Sequence, residues 1–277
     1  MPSFVTQTHE YNRALLDAIA QAMGPTLDLR DLPPSETAWT LLESEADMAL
    51  ASPLLYGQRE GDMAILGGAC VAAVGATGEW LLHFHEGLQS IETVGFYGER
   101  GLHTIVAEIV LKEKYGMKPR LLQVHGPAEE AMSLVDALLT TEGEQRSGFT
   151  SSSHIDVIDE WFDMTQLPLV REIVIGWEAR MDAAIDAAVR QAGDAIDTEA
   201  LHVLDMKMQG RNAATETETL PGHFRYRFTE EAVEGLQVFF QMAFFHGLHR
   251  DIPDFAFWVE GEEGAEGVEG AEGTEVS

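Results

Sequence analysis

One glycine-bearing turn in the sequence combines groups that could bind an anion. The segment from Gly95 to Thr104 reads as a strand that passes through a turn into a helix. The first N–H groups of a helix have no partner within it and its dipole is positive there, so this end suits a carboxylate or phosphate. Arg100 adds a guanidinium for bidentate pairing, and His103 and Thr104 add further donors. An ordinary strand-to-helix turn with surface side chains is the alternative interpretation.

Two polar residues directly follow predicted strands elsewhere in the chain. Ser52 comes after the apolar run Met48–Ala51, and Glu142 comes shortly after Ala137–Thr140. Ligands of open α/β sheets bind beyond the carboxyl ends of the strands, so Ser52 is a candidate ligand contact and Glu142 a candidate base. In the alternative interpretation, the Ser-Pro step only opens a helix and the glutamate is solvated.

A metal centre is not expected. His83 and His85 flank Phe84 and would share one face of a strand, which supplies half of a metal site. No third ligand follows at a recognisable spacing, so we expect these imidazoles to pack or to form hydrogen bonds. Cys70 is the single cysteine, which excludes an intrachain disulfide and any multi-cysteine metal site. No dinucleotide fingerprint or nucleophile elbow is present.

The charge balance excludes two classes of partner. The chain has 17 Lys and Arg residues against 47 Asp and Glu, a formal net charge of −30. Nucleic acids and anionic membranes are bound through basic side chains, so neither is an expected partner. The sequence shows no signal peptide and no apolar run long enough to span a bilayer, so we expect a cytoplasmic protein.

Short apolar runs alternate with helical patterns along the chain, which predicts an α/β fold with parallel strands. Amphipathic periodicity predicts helices over Glu178–Gly193 and Thr229–His246, the second with Thr229 as its N-cap and Gly247 as its terminator. Residues 260–277 are glutamate and glycine repeats that cannot form a core, so we expect a disordered acidic tail.

The order of four segments resembles a known family. These segments are Glu45–Tyr56, Trp80–Phe84, Asp159–Pro168 and Phe224–Phe228. Together they resemble the menaquinone-biosynthesis family of the futalosine route, which contains chorismate dehydratase and dihydroxynaphthoate synthase. The resemblance covers nearly all of residues 1–259. Other segments are similar to one or the other of the two enzymes, so which of them is nearer stays open.

The resemblance implies a two-lobed periplasmic-binding-protein-like fold of type 2, in which the ligand lies between the lobes. Residues 1–79 with 176–259 would form the first lobe and residues 80–175 the second. Trp80–Phe84 and Val170–Trp177 would be the strands that cross the hinge.

The resemblance also identifies candidate catalytic residues, although neither enzyme's catalytic set is intact. Chorismate dehydratases open with Ser-Tyr-Leu-Asn, of which only Asn12 carries over. Their serine ahead of the Leu-Leu strand corresponds to Glu79. Dihydroxynaphthoate synthases have a His-Glu pair where this chain has Thr141 and Glu142, so their histidine base is missing.

These observations predict a cofactor-independent lyase that binds a small cyclic carboxylate. Arg100, His103 and Thr104 would anchor the carboxylate, with Asn12 and Ser52 as polar contacts, and Glu79 or Glu142 would handle a proton. A net charge of −30 repels such a ligand at long range, so a locally positive pocket is required. The alternative hypothesis is a solute-binding protein that closes on a small anion without chemistry. The oligomeric state is not predicted.

Overall fold

The computed structural model describes residues 1–7, 9, 11–58, 62–141, 149, 153–208 and 224–260. These residues form two β-sheets with helices packed around them, as the alternation of apolar runs predicts. The second predicted glutamate base, Glu142, and nearly all of the predicted tail lie outside the described residues. None of the described helices is long and apolar enough to cross a membrane.

The first sheet combines the N-terminal strands with strands from the middle and the end of the chain. Its described strands run in the order β11-β4-β10-β3-β1-β2. β3 and β2 pair with β1 in parallel, whereas β10 pairs antiparallel with both β3 and β4. The bounds are β1 (Ser3–Thr6), β2 (Asp28–Asp31), β3 (Met48–Ala51), β4 (Met63–Ala73), β10 (Leu169–Trp177) and β11 (Phe224–Arg227).

The second sheet contains the middle of the chain, in the order β7-β6-β8-β5-β9. β6 pairs in parallel with β7 and β8, and β5 pairs antiparallel with β8 and β9. The bounds are β5 (Leu81–Phe84), β6 (Thr93–Phe96), β7 (Arg120–Gln123), β8 (Ala137–Thr140) and β9 (His154–Asp156). Each sheet has a parallel core with antiparallel strands added at one side.

The helices cover the sheets and are capped where the sequence supplies a capping residue. Thr229 is the N-cap of the C-terminal helix, as predicted, and its hydroxyl accepts from the N–H of Ala232. Gly247 follows that helix with φ of +67°, a conformation that glycine adopts without strain. The helices are α1 (Arg13–Met23), α2 (Pro34–Leu42), α3 (Pro53–Tyr56), α4 (Leu102–Glu113), α5 (Ala128–Met132), α6 (Val157–Thr165), α7 (Ala183–Met208) and α8 (Glu230–Phe245).

The prediction that α7 spans Glu178–Gly193 was wrong at both ends. Residues Glu178–Arg180 form a 3₁₀ turn, and the helix continues through Gly193 to Met208. Gly193 lies inside the helix and does not end it. The glycine is required because the helix packs closely against β4 at this position. A Cβ at this position would lie 2.6 Å from the carbonyl oxygen of Gly68 in β4, so only glycine allows the helix to approach the sheet this closely.

The chain crosses between the sheets twice, and the two crossings are joined by hydrogen bonds. The first crossing is residues 74–80, and the second leads from β9 through α6 into β10. Asp156 accepts at Oδ2 from the N–H groups of Thr77 and Gly78, at 2.8 and 2.6 Å. The N–H of Val157 donates to the carbonyl oxygen of Trp80 at 2.9 Å. The predicted boundary between the lobes, at 175/176, falls inside β10. All of β10 belongs to the first sheet, so the chain returns to the first lobe before Leu169.

Candidate functional site

A cleft of about 840 Å³ lies between the two lobes, a size that suits a small-molecule ligand. The first lobe contributes the segment before α1, the start of α2, the end of β3 and the middle of β10. The second lobe contributes the turn from Tyr97 to Gly101 and the start of α4. The first crossing contributes Glu79 and Trp80 to the wall.

Arg100 lines the cleft and belongs to a charge network with a net positive charge. Its guanidinium pairs with Glu108, and Lys112 pairs with the other oxygen of the same carboxylate at 2.7 Å. The Arg100 side chain is 48% exposed, whereas Glu108 and Lys112 are nearly buried. Two cations share one anion in this network, which therefore keeps one positive charge, while the adjacent Glu99 also lines the cleft and adds a negative charge to the wall.

The start of α4 faces the same part of the cleft. The first turn of α4 contains no acidic residue, so its dipole is not neutralised locally. His103 lines the cleft, and its ring contacts the ring of Trp80 edge-on at a centroid distance of 6.1 Å. Thr104 is buried and does not line the cleft. Its hydroxyl donates to the carbonyl oxygen of Gly101 and accepts from the N–H of Gly101, so it caps its own helix.

Ser52 also lines the cleft and serves as a helix cap. Its hydroxyl accepts from the N–H of Leu54 at 3.4 Å, at the start of the short helix α3. This bond is long, and a serine hydroxyl keeps a donor proton for a ligand. Ser35 and Thr37 line the same cleft from the first turn of α2, but the Thr37 hydroxyl already donates to the carbonyl oxygens of Leu32 and Pro33, so only Ser35 adds to the hydroxyl of Ser52. The structure therefore places hydroxyl groups on the first lobe opposite the Arg100 wall on the second.

Glu79 forms an ion pair at the cleft with a residue that the sequence interpretation did not identify. Its carboxylate pairs with the guanidinium of Arg171, which lies in β10 and is only 6% exposed. The Arg171 guanidinium carbon lies 4.1 Å from the centroid of the Tyr11 ring and 4.6 Å from that of Trp80. Cation–π contacts of this kind stabilise a buried guanidinium.

A second carboxyl lies next to this pair. Glu172 lines the cleft and is 8% exposed. The Tyr11 hydroxyl donates to its Oε1 at 3.1 Å, and Asn12 donates from Nδ2 to its Oε2 at 2.9 Å. Burial raises the pKa of Glu172 to about 7, although the bonds from Asn12 and Tyr11 and the charge of Arg171 act against this rise. Asn12 is itself fully buried behind Glu172 and does not line the cleft.

A β-bulge explains how adjacent residues of β10 reach the same cleft. In the pairing of β10 with β4, Val170 lies opposite Ala72 and Glu172 opposite Val71, so Arg171 is an extra residue. Successive side chains of a regular strand point to opposite faces, and a bulge changes this alternation. Arg171 and Glu172 therefore both line the cleft. The signal in the sequence was two adjacent charges inside an otherwise apolar strand.

The structure thus brings Ser52, Glu79, Arg100 and His103 together and leaves Thr104 and Asn12 outside the lining. The other histidines are placed in the second sheet. His83 is buried and contacts the Thr140 hydroxyl through Nε2 at 3.0 Å, and burial lowers its pKa to about 4. His85 contacts the Met132 carbonyl oxygen at 3.1 Å. No cluster of metal-binding side chains occurs among the described residues.

Two lobes joined by two crossings, with a ligand-sized cleft between them, define the two-lobed class of solute-binding folds. Solved structures of this class resemble the chain throughout. Protein AF1704 from Archaeoglobus fulgidus is 16% identical, with a TM-score of 0.58, over 89% of this chain and 98% of that one. An ABC transporter structure from Parabacteroides distasonis is 14% identical, with a TM-score of 0.57, over 94% and 99%.

The periplasmic aliphatic sulphonate binding protein SsuA from Escherichia coli is a third example. It is 14% identical, with a TM-score of 0.54, over 92% of this chain and 94% of that one. At these identities the likeness shows the fold alone, which is the fold that the motif order predicted. A search of curated proteins finds no match to the chain.

Residues 13–244 match the family model described as menaquinone biosynthesis. This match covers most of the chain, so the chain belongs to the menaquinone-biosynthesis family. The resemblance seen in the order of the sequence motifs is confirmed.

Proposed function

We propose that the chain is a cofactor-independent lyase of the futalosine route that dehydrates chorismate, or a closely similar cyclic carboxylate, in the cleft between its lobes. The observation that carries the proposal is the composition of that cleft. The second lobe contributes a guanidinium and a helix N-terminus to it, the first lobe contributes hydroxyl groups, and three glutamates (Glu79, Glu99 and Glu172) also line it. Family membership supports the same assignment.

The wall formed by Arg100 would bind a ligand carboxylate. The network of Arg100, Glu108 and Lys112 keeps one positive charge, and the start of α4 adds N–H donors. The guanidinium and these donors act at contact distance, which lets them bind a carboxylate despite the adjacent Glu99 and a net charge of −30. Salt screens long-range repulsion more strongly than contact pairing, so chorismate binding should persist at high KCl.

Dehydration requires a proton acceptor, a proton donor and a site from which water can leave. A ring C–H bond breaks, its electron pair forms a new ring double bond, and the ring C–O bond breaks. The departing hydroxyl takes up a proton and leaves as water, so no oxidant or cofactor is consumed. Carboxyl groups that line the cleft can carry this proton.

The direct test is incubation of the purified chain with chorismate, at low and high KCl, followed by mass spectrometry for a product lighter by one water. Arg100→Ala should raise KM roughly tenfold or more, because it removes a charge-assisted contact worth about 1.5–3 kcal/mol. Lys118→Ala is the matched control, because Lys118 is an exposed cation that does not line the cleft. Binding of chorismate without turnover would contradict the proposal and favour a non-catalytic binding protein. Absence of both would reject the ligand.

A further inference from the structure

The position of the Glu172 carboxyl, buried within an apolar strand, is not explained by packing. It lies in the middle of a strand whose other residues, apart from Arg171, are apolar, and it is almost fully buried. Burying a carboxyl without a compensating role is unfavourable, and an apolar residue would fill the same space at no such penalty. The bulge at Arg171 nevertheless brings this carboxyl to the cleft.

The carboxyl of Glu172 is held in one orientation. Each of its oxygens accepts one hydrogen bond, from Tyr11 and from Asn12. Asn12 is in turn fixed, since its Oδ1 accepts from the N–H of His9 at 2.7 Å and its Nδ2 also donates to the carbonyl oxygen of Gln7 at 2.9 Å. The Tyr11 ring stacks on His9, at a centroid distance of 4.8 Å. A carboxylate accepts more than two hydrogen bonds, so capacity remains for a ligand.

The surroundings of Glu172 leave both of its protonation states accessible near neutral pH. Burial raises its pKa to about 7, which is the range in which a carboxyl transfers protons efficiently. Several charged or titratable groups lie on the segments around it. They are His9 and Tyr11 before α1, Cys70 of β4, Glu79 of the first crossing, Arg171 of its own strand, and Arg225, Tyr226 and Arg227 of β11.

We propose that Glu172 is the proton-transfer residue of the cleft and that Tyr11 and Asn12 are its positioning residues. This inference rests on the proposed dehydration. The carboxylate of Glu172 takes the ring proton, and the C–H electrons form the new double bond. The resulting carboxylic acid then gives the proton to the departing hydroxyl, which regenerates the carboxylate and releases water. Glu79, in contrast, balances the charge of Arg171.

The first test is the activity of Glu172→Gln on chorismate. We expect kcat to fall by roughly 10²-fold or more, the usual contribution of general acid–base catalysis, with KM nearly unchanged. Glu43→Gln is the control, because Glu43 is an exposed carboxyl at the end of α2. Tyr11→Phe should shift the rise of kcat with pH to higher pH, because the bond from Tyr11 favours the ionised carboxyl. Unchanged kcat and pH profiles in these variants, with an active wild-type protein, would overturn the inference and leave the proposed function intact.

A second readout does not need turnover. 3-Hydroxybenzoate is a ring carboxylate that cannot lose water in this way, and its binding is measured by calorimetry at pH 7 in buffers of different ionisation enthalpy. The wild-type protein should take up as much as about half a proton per ligand, because an anion next to a half-ionised Glu172 favours its protonated form. Glu172→Gln should take up markedly less than the wild type, because the imidazoles of His9 and His103 in the lining remain, and Glu43→Gln should behave as wild type.

The two readouts separate the two proposals. Proton uptake that depends on Glu172, in a protein that does not turn chorismate over, would overturn the dehydration and support Glu172 as the group that exchanges a proton at the ligand. Equal uptake by the wild type and Glu172→Gln would overturn the role of Glu172. Absence of both binding and turnover would overturn both.

Discussion

Replacing Glu172 by glutamine should stabilise the protein at alkaline pH. The pKa of Glu172 is raised from its ordinary 4.5 to about 7 in the folded state, chiefly by burial. Between these two pH values the folded chain holds a proton that the unfolded chain releases. Because the folded state binds more protons in this window, its stability falls as the pH rises through it.

The size of the effect follows from the difference in proton affinity. Each pKa unit between the unfolded and folded states is worth about 1.4 kcal/mol of stability. The rise from 4.5 to about 7 therefore means that ionised Glu172 destabilises the folded state by about 3 kcal/mol above pH 7. In Glu172→Gln the Tyr11 hydroxyl can accept from the new amide, and losing the charge on the acceptor costs about 1 kcal/mol. The net gain at pH 8 is about 2 kcal/mol, or roughly 4–8 °C in Tm for a chain of this size.

The assay is thermal unfolding of the wild type and the variant, by circular dichroism, at several pH values between 5 and 8 in high KCl. Burial lowers the pKa of His83 to about 4, so His83 makes stability rise with pH across part of the same window. The informative quantity is therefore the difference between the two proteins, which should be near zero or slightly negative at pH 5 and positive at pH 8. A variant less stable than wild type at pH 8, or a difference independent of pH, would refute the reasoning.

Three other substitutions test particular contacts. Arg171→Met should lower the free energy of unfolding in urea by about 3 kcal/mol, because it leaves the carboxylate of Glu79, whose side chain is only 13% exposed, without its cation. Adding Glu79→Gln should restore much of this loss, and no recovery in the double variant would argue against the pair. Thr104→Ala should cost about 1 kcal/mol by removing the cap at Gly101, with the Kd for chorismate unchanged. A weakened Kd would show instead that Thr104 contacts the ligand. His83→Gln should flatten the rise of stability between about pH 4 and pH 6.5, because the neutral imidazole resists protonation in the fold. An unchanged pH profile of Tm would contradict this.

Local patterns in the sequence predicted many elements well. The strands at Met48–Ala51 and Ala137–Thr140 have the predicted bounds. The turn at Arg100 leads from a strand into a helix, as its glycines indicate. These features depend on apolar periodicity, turn residues and caps, all of which act over a few residues and so can be read along the chain.

Long-range packing decided the rest. The strand Ser3–Thr6 was not predicted, because only two of its four residues are apolar, and its pairing with β2 and β3 defines it. Thr104 was predicted to bind a ligand, but the start of α4 uses its hydroxyl for the helix cap.

The sequence by itself determined the α/β class, the family and the polar residues that follow strands, because these depend on residue types in local order. Only the tertiary structure decided that Arg171 and Glu172 belong to the cleft. Their side chains line it because β10 bulges where it pairs with β4, a strand about a hundred residues away. Burial, which raises the pKa of Glu172, is likewise a property of the packed chain.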